Sequence, residues 1–312
     1  MAQLNWRNAT ISDLETLQKC ALENEIFANN YGAVNSILYQ KKYCAQIAFE
    51  DGCFFEKLSF GGCSYFSFPH KLESRAQTAA EAKNAIVALA KEAENLGLPL
   101  TFGNITAQEK DILLELYPSA KVTATPDFSD YIYSTEKLAS LAGKKYSKKR
   151  NHIHQFNNKY TDFRFELLGR ENFSAVREIE EKWLEESKAA AVESGTLQDL
   201  ESEKEIIFTA LENFDTFRNV SGMSGGILFI EGNPAAFCMA SLLSRNITDV
   251  HFEKCLYAFG RDGGYAVINN EFAKTVQTEF LNREEDLGIE GLRKAKLSYY
   301  PEMVLEKFSV EC

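Results

Sequence analysis

The stretch DVHFEKCLYAFGRDGGY, residues 249–265, decides the fold. Its first nine residues alternate between apolar and polar side chains apart from Lys254, which is typical of a β-strand with one face in a core. The glycines within residues 259–265 end that strand. Beyond them, apolar side chains recur at every fourth position, at Ile268, Phe272, Val276 and Phe280. The pattern therefore predicts a strand, a loop and a helix across residues 249–281.

The alternation assigns the side chains of this strand to two faces. The apolar face carries Val250, Phe252 and Leu256, and the other face carries His251, Glu253, Cys255 and Tyr257. Unpaired loop amides before a helix N-terminus favour an anionic ligand such as a phosphate or a carboxylate. We interpret the unit as the donor-binding edge of an acyl-transfer site. An ordinary strand–helix crossover in an α/β core is the alternative.

Length and composition limit the class of protein. The 312 residues have room for two domains. A net charge of −11 argues against a protein that coats nucleic acid. The seven cysteines are odd in number and form no C-x-x-C pair, which predicts reduced thiols in the cytoplasm. The first residues lack the apolar core of a signal peptide, and no run approaches the ~18 apolar residues of a membrane span.

The order of elements repeats along the chain. Asp51-Gly52 and Glu231-Gly232 each separate two strand-like runs, which predicts two hairpins. A long helix, a short strand and a second helix follow each hairpin at an offset of roughly 180 residues. A duplicated α/β unit explains this order. We predict domains at residues 1–126 and 127–312, the second with a basic linking helix and the predicted active site.

Residues 143–160, GKKYSKKRNHIHQFNNKY, predict an amphipathic helix with a cationic side. Five cations that repel one another are tolerated most easily where an anion binds, such as a phosphate-bearing donor or a lipid headgroup. The alternative is a solvated helix face that pairs with acidic residues elsewhere. The five cations are Lys144, Lys145, Lys148, Lys149 and Arg150.

Acidic and histidine side chains supply candidates for proton transfer. In NREEDLG, residues 282–288, three acids follow Arg283 at the end of a short strand, which suits a general base or an amine-binding pocket. The same acids could instead favour the N-terminus of the next helix. His251 could carry a proton, although a structural histidine is the alternative. Arg293, Lys294 and Lys296 form either a second basic patch or the cationic end of a helix.

Two short patterns are set aside. Gly222-Met-Ser-Gly-Gly226 matches G-x-S-x-G, but a nucleophile elbow needs a strand before the serine and a helix after it. Here the predicted order is reversed. His152 and His154 lie two residues apart and so point to different faces of a helix, with no cysteine nearby. We therefore predict no metal site.

Two long motifs carry a resemblance to a known family: GKKYSKKRNHI, residues 143–153, and NREEDLGIEGLRKAKLSY, residues 282–299. They resemble the bacterial family grouped with the C-terminal domain of phosphatidylglycerol lysyltransferase, and the likeness extends over nearly the whole chain. It implies an α/β (α+β) fold of two tandem N-acetyltransferase-like domains, each a mixed central sheet flanked by helices. This fold is shared with the Fem aminoacyltransferases.

The resemblance also implies roles for the strand and loop described first. Strand 249–257 would be the central splayed strand, and residues 261–264 the loop that holds the pyrophosphate in acyl-CoA enzymes. The stretch RDGGYA, residues 261–266, keeps only part of the R/Q-x-x-G-x-G/A loop, and Asp262 would repel an anion. Coenzyme A is therefore disfavoured, and the resemblance implies an aminoacyl-tRNA donor.

We predict a cytoplasmic acyltransferase that moves an aminoacyl group from a tRNA-type donor to an amine or hydroxyl of a small molecule or lipid headgroup, with no bound cofactor. An acyl-CoA-dependent N-acyltransferase and a non-catalytic binding module of the same fold are the alternatives. The candidate proton acceptors are His251, Glu253 and Glu285. The candidate donor-binding residues are the five cations of residues 144–150 with Arg261, Gly263 and Gly264. The candidate acceptor patch is Arg283, Arg293, Lys294 and Lys296.

Overall fold

The computed structural model describes residues 4–76 and 78–312, so that residues 1–3 and 77 of the predicted first domain lie outside the described residues. Helices flank two seven-stranded mixed sheets, which confirms the predicted fold class. The helices are α1 (Leu14–Glu23), α2 (Ala33–Leu38), α3 (Ala79–Leu96), α4 (Ala107–Leu116), α5 (Thr135–Ser140), α6 (Ser147–Lys159), α7 (Phe173–Ser194), α8 (Leu197–Glu212), α9 (Phe214–Ser221), α10 (Tyr257–Gly260), α11 (Gly264–Ala273) and α12 (Glu290–Leu297). The strands are β1 (Gln46–Glu50), β2 (Cys53–Phe60), β3 (Cys63–Phe66), β4 (His70–Lys71), β5 (Thr101–Thr106), β6 (Lys121–Ala124), β7 (Asp130–Ser134), β8 (Phe163–Leu167), β9 (Ser224–Ile230), β10 (Asn233–Ser244), β11 (Ile247–Cys255), β12 (Phe280–Asn282), β13 (Met303–Leu305) and β14 (Lys307–Glu311).

The two sheets have the same topology, which confirms the predicted repeat. The first sheet runs β1-β2-β3-β5-β14-β6, with β4 beside β2. The second runs β9-β10-β11-β12-β7-β13 in the same sense, with β8 added outside β9. In both sheets the third and fourth strands of this order pair in parallel, and all other neighbours pair antiparallel. A duplicated unit accounts for this correspondence.

The strand that follows each repeat in the sequence joins the sheet of the other repeat. β7 follows β6 in the sequence but lies between β12 and β13 of the second sheet, while the C-terminal strand β14 lies between β5 and β6 of the first. Residues 127–312 therefore do not form a closed structural unit, because their last strand completes the other sheet. Adjacency in sequence predicts strand partners only in part.

Both predicted hairpins are present. Asp51 and Gly52 have φ values of 49° and 72°, and Glu231 and Gly232 have φ values of 51° and 78°. Two successive residues with positive φ make the turn whose twist matches antiparallel strands. The hairpins β1–β2 and β9–β10 thus begin the two repeats in the same way.

A β-bulge interrupts the predicted alternation of β11. Phe252 pairs with Met239 and Val250 pairs with Ala240, so that His251 is an extra residue on its strand. Val250 and Phe252 therefore pack into different hydrophobic clusters, and the prediction that they share one face is wrong. The bulge was invisible in the sequence because it depends on the pairing register with β10.

Two features of the packing open a space between the sheets. Helices α1 and α2 contribute Leu14 and Val34 to the cluster that includes Phe237 and Phe252 of the second sheet, so the two halves share one core. β11 pairs with β12 only from Ile247 to Asp249, after which the two strands diverge. Side chains near this divergence line the candidate site.

Candidate functional site

A cavity of about 1090 Å³ lies between the two halves of the molecule. Its walls include Glu56 of β2, Asn104 of β5 and Lys307 of β14 from the first sheet, together with His251 and Glu284 from the second half. Cavities at the junction of two units commonly hold small-molecule ligands. Most of the predicted site residues are considered below by their place relative to this cavity.

A buried cluster of side chains lies where β11 and β12 diverge. Nδ1 of His251 is 3.5 Å from Oδ2 of Asp249 and 3.5 Å from Oε1 of Glu284, and Nε2 is 2.7 Å from Oγ of Ser241. Asn35 donates from Nδ2 to Asp249 at 3.1 Å and to Glu284 at 3.3 Å. Burial raises the pKa of both carboxyl groups. The ligand atoms of Asp249, His251 and Glu284 lie within 4.8 Å of one another and could hold a cation.

A second buried cluster joins the exchanged strands. Nζ of Lys307 in β14 donates to Oδ1 of Asp130 in β7 at 2.6 Å and to Oδ1 of Asn29 at 2.5 Å. Asn29 in turn donates to Oε2 of Glu285 at 2.8 Å. Lys296 donates to the backbone carbonyl of Glu285. Burial raises the pKa of Asp130 and lowers the pKa of Lys296, because both charged forms lose contact with water.

Arg283 and Lys149 place two cations on one side of the cavity. Arg283 donates from Nη2 to both carboxylate oxygens of Glu253, while its Nη1 is buried and has no hydrogen-bond partner among the described residues. Nζ of Lys149 lies 3.7 Å from the centre of the Tyr299 ring. Burial lowers the pKa of Lys149 to about 8. An unpaired guanidinium nitrogen beside an ammonium group suits an anionic ligand.

The remaining cations of residues 144–150 are not among the cavity-lining residues. Lys144, Lys145 and Lys148 are exposed to solvent. Arg150 donates to the backbone carbonyls of Leu141 and Gly143, and so it holds the turn before α6. The helical pattern placed these cations on one side of a helix, but only Lys149 points to the cavity.

The glycine-rich stretch after β11 differs from the predicted open loop. The backbone amides of Arg261, Asp262 and Gly263 donate to carbonyls of residues 257–260, so these amides are already paired. Gly263 lines the cavity, and Arg261 is exposed outside it. Gly264 is buried, and a Cβ atom there would lie 2.7 Å from Sγ of Cys255. The expectation of unpaired loop amides that favour an anionic ligand is therefore wrong for Arg261, Asp262 and Gly263.

Asp262 is paired and is not among the cavity-lining residues. Its carboxylate accepts hydrogen bonds from Nζ of Lys159 at 2.6 Å and from the hydroxyl of Tyr160 at 2.5 Å. These hydrogen bonds lower the pKa of Asp262. The carboxylate thus fastens α6 to the loop. This role depends on residues about a hundred positions apart and was not predicted.

The predicted second basic patch divides into separate roles. Arg293 donates to Asp286 and Asp127, and Lys294 forms an ion pair with Glu290 one helical turn away. Of the patch, only Arg283 and Lys296 line the cavity. Arg293 and Lys294 therefore stabilise local structure around α12.

Several residues in the cavity wall, or hydrogen-bonded to it, were missed from the sequence. Asp249 lies in the stretch 249–265 and Glu284 in the motif 282–288. The predicted site residues were their neighbours in these segments. Glu284 has a φ of 53° and occupies the position that matches Asn104, with a φ of 54°, in the first repeat. Positive φ at residues other than glycine marks functional or strained positions. Asn29, Asp130 and Lys307 come from distant parts of the chain, and no local pattern could have joined them.

The family comparison agrees with this architecture. Residues 38–311 match the family described as phosphatidylglycerol lysyltransferase, C-terminal. The chain belongs to this family.

Solved structures share the fold of this protein over nearly the whole chain. A conserved protein of unknown function from Bacteroides thetaiotaomicron VPI-5482 is 28% identical, with a TM-score of 0.88 over 99% of each chain. The C-terminal domain of a putative lysylphosphatidylglycerol synthetase from Agrobacterium fabrum has a TM-score of 0.64 at 10% identity, over 97% of this chain and 92% of that one. L-PGS from Bacillus licheniformis has a TM-score of 0.64 at 12% identity, over 98% and 92%. The last two likenesses concern the fold alone.

One curated relative also matches. An uncharacterised protein of Mycoplasmoides gallisepticum is 20% identical over 184 residues, which are 59% of this chain and 56% of that protein. No helix in residues 4–76 and 78–312 of this family member has both the length and the apolar character of a membrane span.

Proposed function

We propose that the protein is an acyltransferase that moves an aminoacyl group from a tRNA-type donor to an amine or hydroxyl of an acceptor. Membership of the phosphatidylglycerol lysyltransferase C-terminal family supports this reaction class. The single observation that carries the proposal is the unpaired Nη1 of Arg283, buried in the cavity wall that also contains Lys149. This pair offers a site for a phosphate of the donor. The cytoplasm is the compartment that supplies such a donor.

The cavity is large enough for both substrates. Small-molecule sites commonly occupy roughly 300–1,000 Å³, and this cavity measures about 1090 Å³. In the proposal, the 3′ end of a tRNA acceptor stem enters beside Lys149, with the exposed Lys144, Lys145 and Lys148 near its phosphates. The acceptor, a small molecule or a lipid headgroup, approaches from the opposite wall. Holding both in one space supplies the orientation that the reaction needs.

Glu285 is the preferred proton acceptor among the three predicted candidates. Glu253 is bound to Arg283 through both oxygens, and the side chain of His251 is only 1% exposed. Glu285 lines the cavity and is oriented by the amide of Asn29. The acceptor nitrogen or oxygen attacks the ester carbon and loses its proton to Glu285. The bond from that carbon to the ribose oxygen breaks, and the proton held by Glu285 passes to the ribose oxygen, which restores the carboxylate.

A transfer assay with variants tests this proposal. The full-length protein is incubated with aminoacyl-tRNAs carrying labelled amino acids, and with phosphatidylglycerol vesicles or small amines as acceptors. Glu285→Gln should reduce turnover at least 100-fold, and Lys149→Met should weaken donor binding. Lys294→Gln is the matched control, because this lysine is exposed and pairs only with Glu290. Normal turnover in Glu285→Gln would contradict the role of this residue.

Coenzyme A distinguishes the alternative donor. An acyl-CoA-dependent enzyme should show thermal stabilisation by coenzyme A, whereas a tRNA-dependent one should not. Binding of aminoacyl-tRNA with no transfer to any acceptor over hours would instead indicate a binding module. Either result would overturn aminoacyl transfer as the function.

A further inference from the structure

We propose that Asp249, His251 and Glu284 form a binding site for a divalent transition-metal ion. The ligand atoms are Oδ2 of Asp249, Nδ1 of His251 and Oε1 of Glu284. This assignment does not depend on the proposed transfer reaction, because metal binding is measured without turnover. It concerns a different set of residues from the histidine pair 152 and 154 considered in the sequence.

The two separations from Nδ1 of His251 fit ligands of one ion. Nδ1 lies 3.5 Å from each of the two carboxylate oxygens, which is too long for a good hydrogen bond. Ligands at roughly 2.0–2.2 Å from a tetrahedral ion lie roughly 3.3–3.6 Å from one another. The imidazole is therefore at ion-pair distance from both carboxylates, beyond a good hydrogen bond, and at a suitable distance to share an ion with them.

His251 provides an independent indication that a ligand belongs here. Its side chain is 1% exposed, yet Nδ1 has no hydrogen-bond partner among the described residues. Oδ1 of Asp249 is also buried and has no hydrogen-bond partner among the described residues. Buried polar atoms are normally satisfied, so an orphan nitrogen that points between two carboxylates calls for a missing partner.

The surroundings of the imidazole resemble the outer sphere of a metal site. Oγ of Ser241 lies 2.7 Å from Nε2 and can accept its hydrogen, which leaves the lone pair on Nδ1 free for coordination. Asn35 donates to one oxygen of Asp249 and one of Glu284, which fixes both carboxylates. Each oxygen keeps a further lone pair, since a carboxylate oxygen accepts more than one bond.

The backbone delivers these side chains from two irregular positions. His251 is the extra residue of the β-bulge in β11, and Glu284 has a φ of 53° beyond the end of β12. Neither side chain would reach this point from a regular strand, because a bulge redirects its side chain. Backbone strain of this kind persists where a site requires it.

The local charge also favours a cation. Asn29 and Asn35 together donate hydrogen bonds to four carboxyl groups. These belong to Asp130, Asp249, Glu284 and Glu285. The buried ammonium group of Lys307 donates to the carboxylate of Asp130, whereas that of Lys296 donates to the backbone carbonyl of Glu285. A divalent ion would balance the remaining negative charge. One imidazole with two carboxylates suits zinc or manganese, and a cavity-facing position would stay open for water or substrate.

Metal content tests the assignment directly. The full-length protein is stripped with a chelator, dialysed against zinc or manganese, and analysed by elemental mass spectrometry. We expect a single equivalent of metal in the wild type and its loss in Glu284→Gln and His251→Ala. Ser241→Ala should weaken affinity about 10–100-fold, because it removes only the partner of Nε2. Cobalt replacement should give the visible absorption of a four-coordinate ion.

His70 supplies the matched control. It is also a buried histidine beside a carboxylate, but its Nε2 lies 3.2 Å from Oε1 of Glu109, and His70→Gln should keep its metal. Circular dichroism checks the fold of each variant, and Glu284→Gln keeps the shape of the side chain if His251→Ala fails to fold. Metal retained by Glu284→Gln and Ser241→Ala at wild-type affinity would indicate binding by exposed thiols and overturn the assignment. No metal bound by the wild type would overturn it as well.

Discussion

Nη2 of Arg283 lies 2.9 Å from Oε1 and 3.1 Å from Oε2 of Glu253, across the gap that opens between β11 and the end of β12. The side chains are only 12% and 14% exposed. Asn269 of α11 donates to the same carboxylate at 3.2 Å. The ion pair therefore ties the diverging strands together while it leaves the other guanidinium nitrogen toward the cavity.

Removing one charge of this pair should destabilise the fold. Glu253→Gln leaves the buried guanidinium of Arg283 without its carboxylate, and we expect a loss of about 3–5 kcal/mol in the free energy of unfolding. Denaturant titration measures this loss. Glu178→Gln, which breaks the exposed pair with Lys182 on α7, is the control and should cost less than about 0.5 kcal/mol. Equal effects in the two variants would contradict the structural role of the buried pair.

Lys149 should make stability depend on alkaline pH. Burial lowers its pKa from 10.5 to about 8 in the folded protein, so the unfolded chain binds more protons between these values. The contribution of Lys149 to stability therefore rises as the pH increases from about 8 to 10.5. Lys149→Met should lose this rise, measured by denaturant titration at several pH values. A similar loss in Lys148→Met, its exposed neighbour, would refute the assignment to Lys149.

Glu56 should make the stability of the fold decrease, and not increase, as the pH rises toward neutrality. Burial raises its pKa from 4.5 to about 7, and the hydroxyl of Ser67 donates to its Oε2. The folded state thus binds more protons between these values, and stability is lost as the pH rises from 4.5 to 7. Glu56→Gln should be more stable than the wild type by up to about 3 kcal/mol above pH 7. The difference should vanish below pH 4.5.

Two comparisons make the test of Glu56 specific. Glu50→Gln, at the end of the neighbouring β1, removes a half-buried carboxylate and is the control. Thermal unfolding across the pH range provides the measurement. A constant difference between Glu56→Gln and the wild type at every pH would show that the effect comes from packing and not from ionisation.

The first half should not fold alone. A fragment of residues 1–126 lacks β14, which lies between β5 and β6, so β6 would have no partner and β5 would lose one edge. Circular dichroism and amide exchange should report an unfolded or partly folded fragment. A longer fragment with residues 306–312 joined through a flexible linker is the control and should recover sheet structure. Cooperative unfolding of the 1–126 fragment would show that the exchanged strand is dispensable.

The sequence predicts best the elements whose backbone conformation depends on residues adjacent in the chain. Asp51-Gly52 and Glu231-Gly232 permit positive φ at successive residues, and both hairpins were found. The predicted repeat in the order of elements was also confirmed, because the chain contains the same structural unit twice. The insertion of β14 between β5 and β6 was not predicted, since which strand fills a gap in a sheet is decided by packing between distant segments.

The candidate site was harder to predict from the sequence, because packing between distant segments brings its residues together. Lys149, Glu253, Glu285, Arg283 and Lys296 were chosen from local motifs, and all of them line the cavity. Arg150, Arg261, Arg293 and Lys294 came from the same motifs but lie elsewhere, because charge patterns do not reveal which way a helix faces. The three residues of the proposed metal site depend on a bulge and on one unusual φ, neither of which a pattern of residue types encodes.

The place of β14 also governs how the chain can be made in the cell. The sheet that begins at residue 46 is completed by residues 307–311, so it stays open until these residues have been synthesised and have left the ribosome. Until then the nascent chain carries an unfinished sheet edge, which is a known hazard for aggregation. Deletion of residues 307–311 would therefore damage the part of the molecule that was made first.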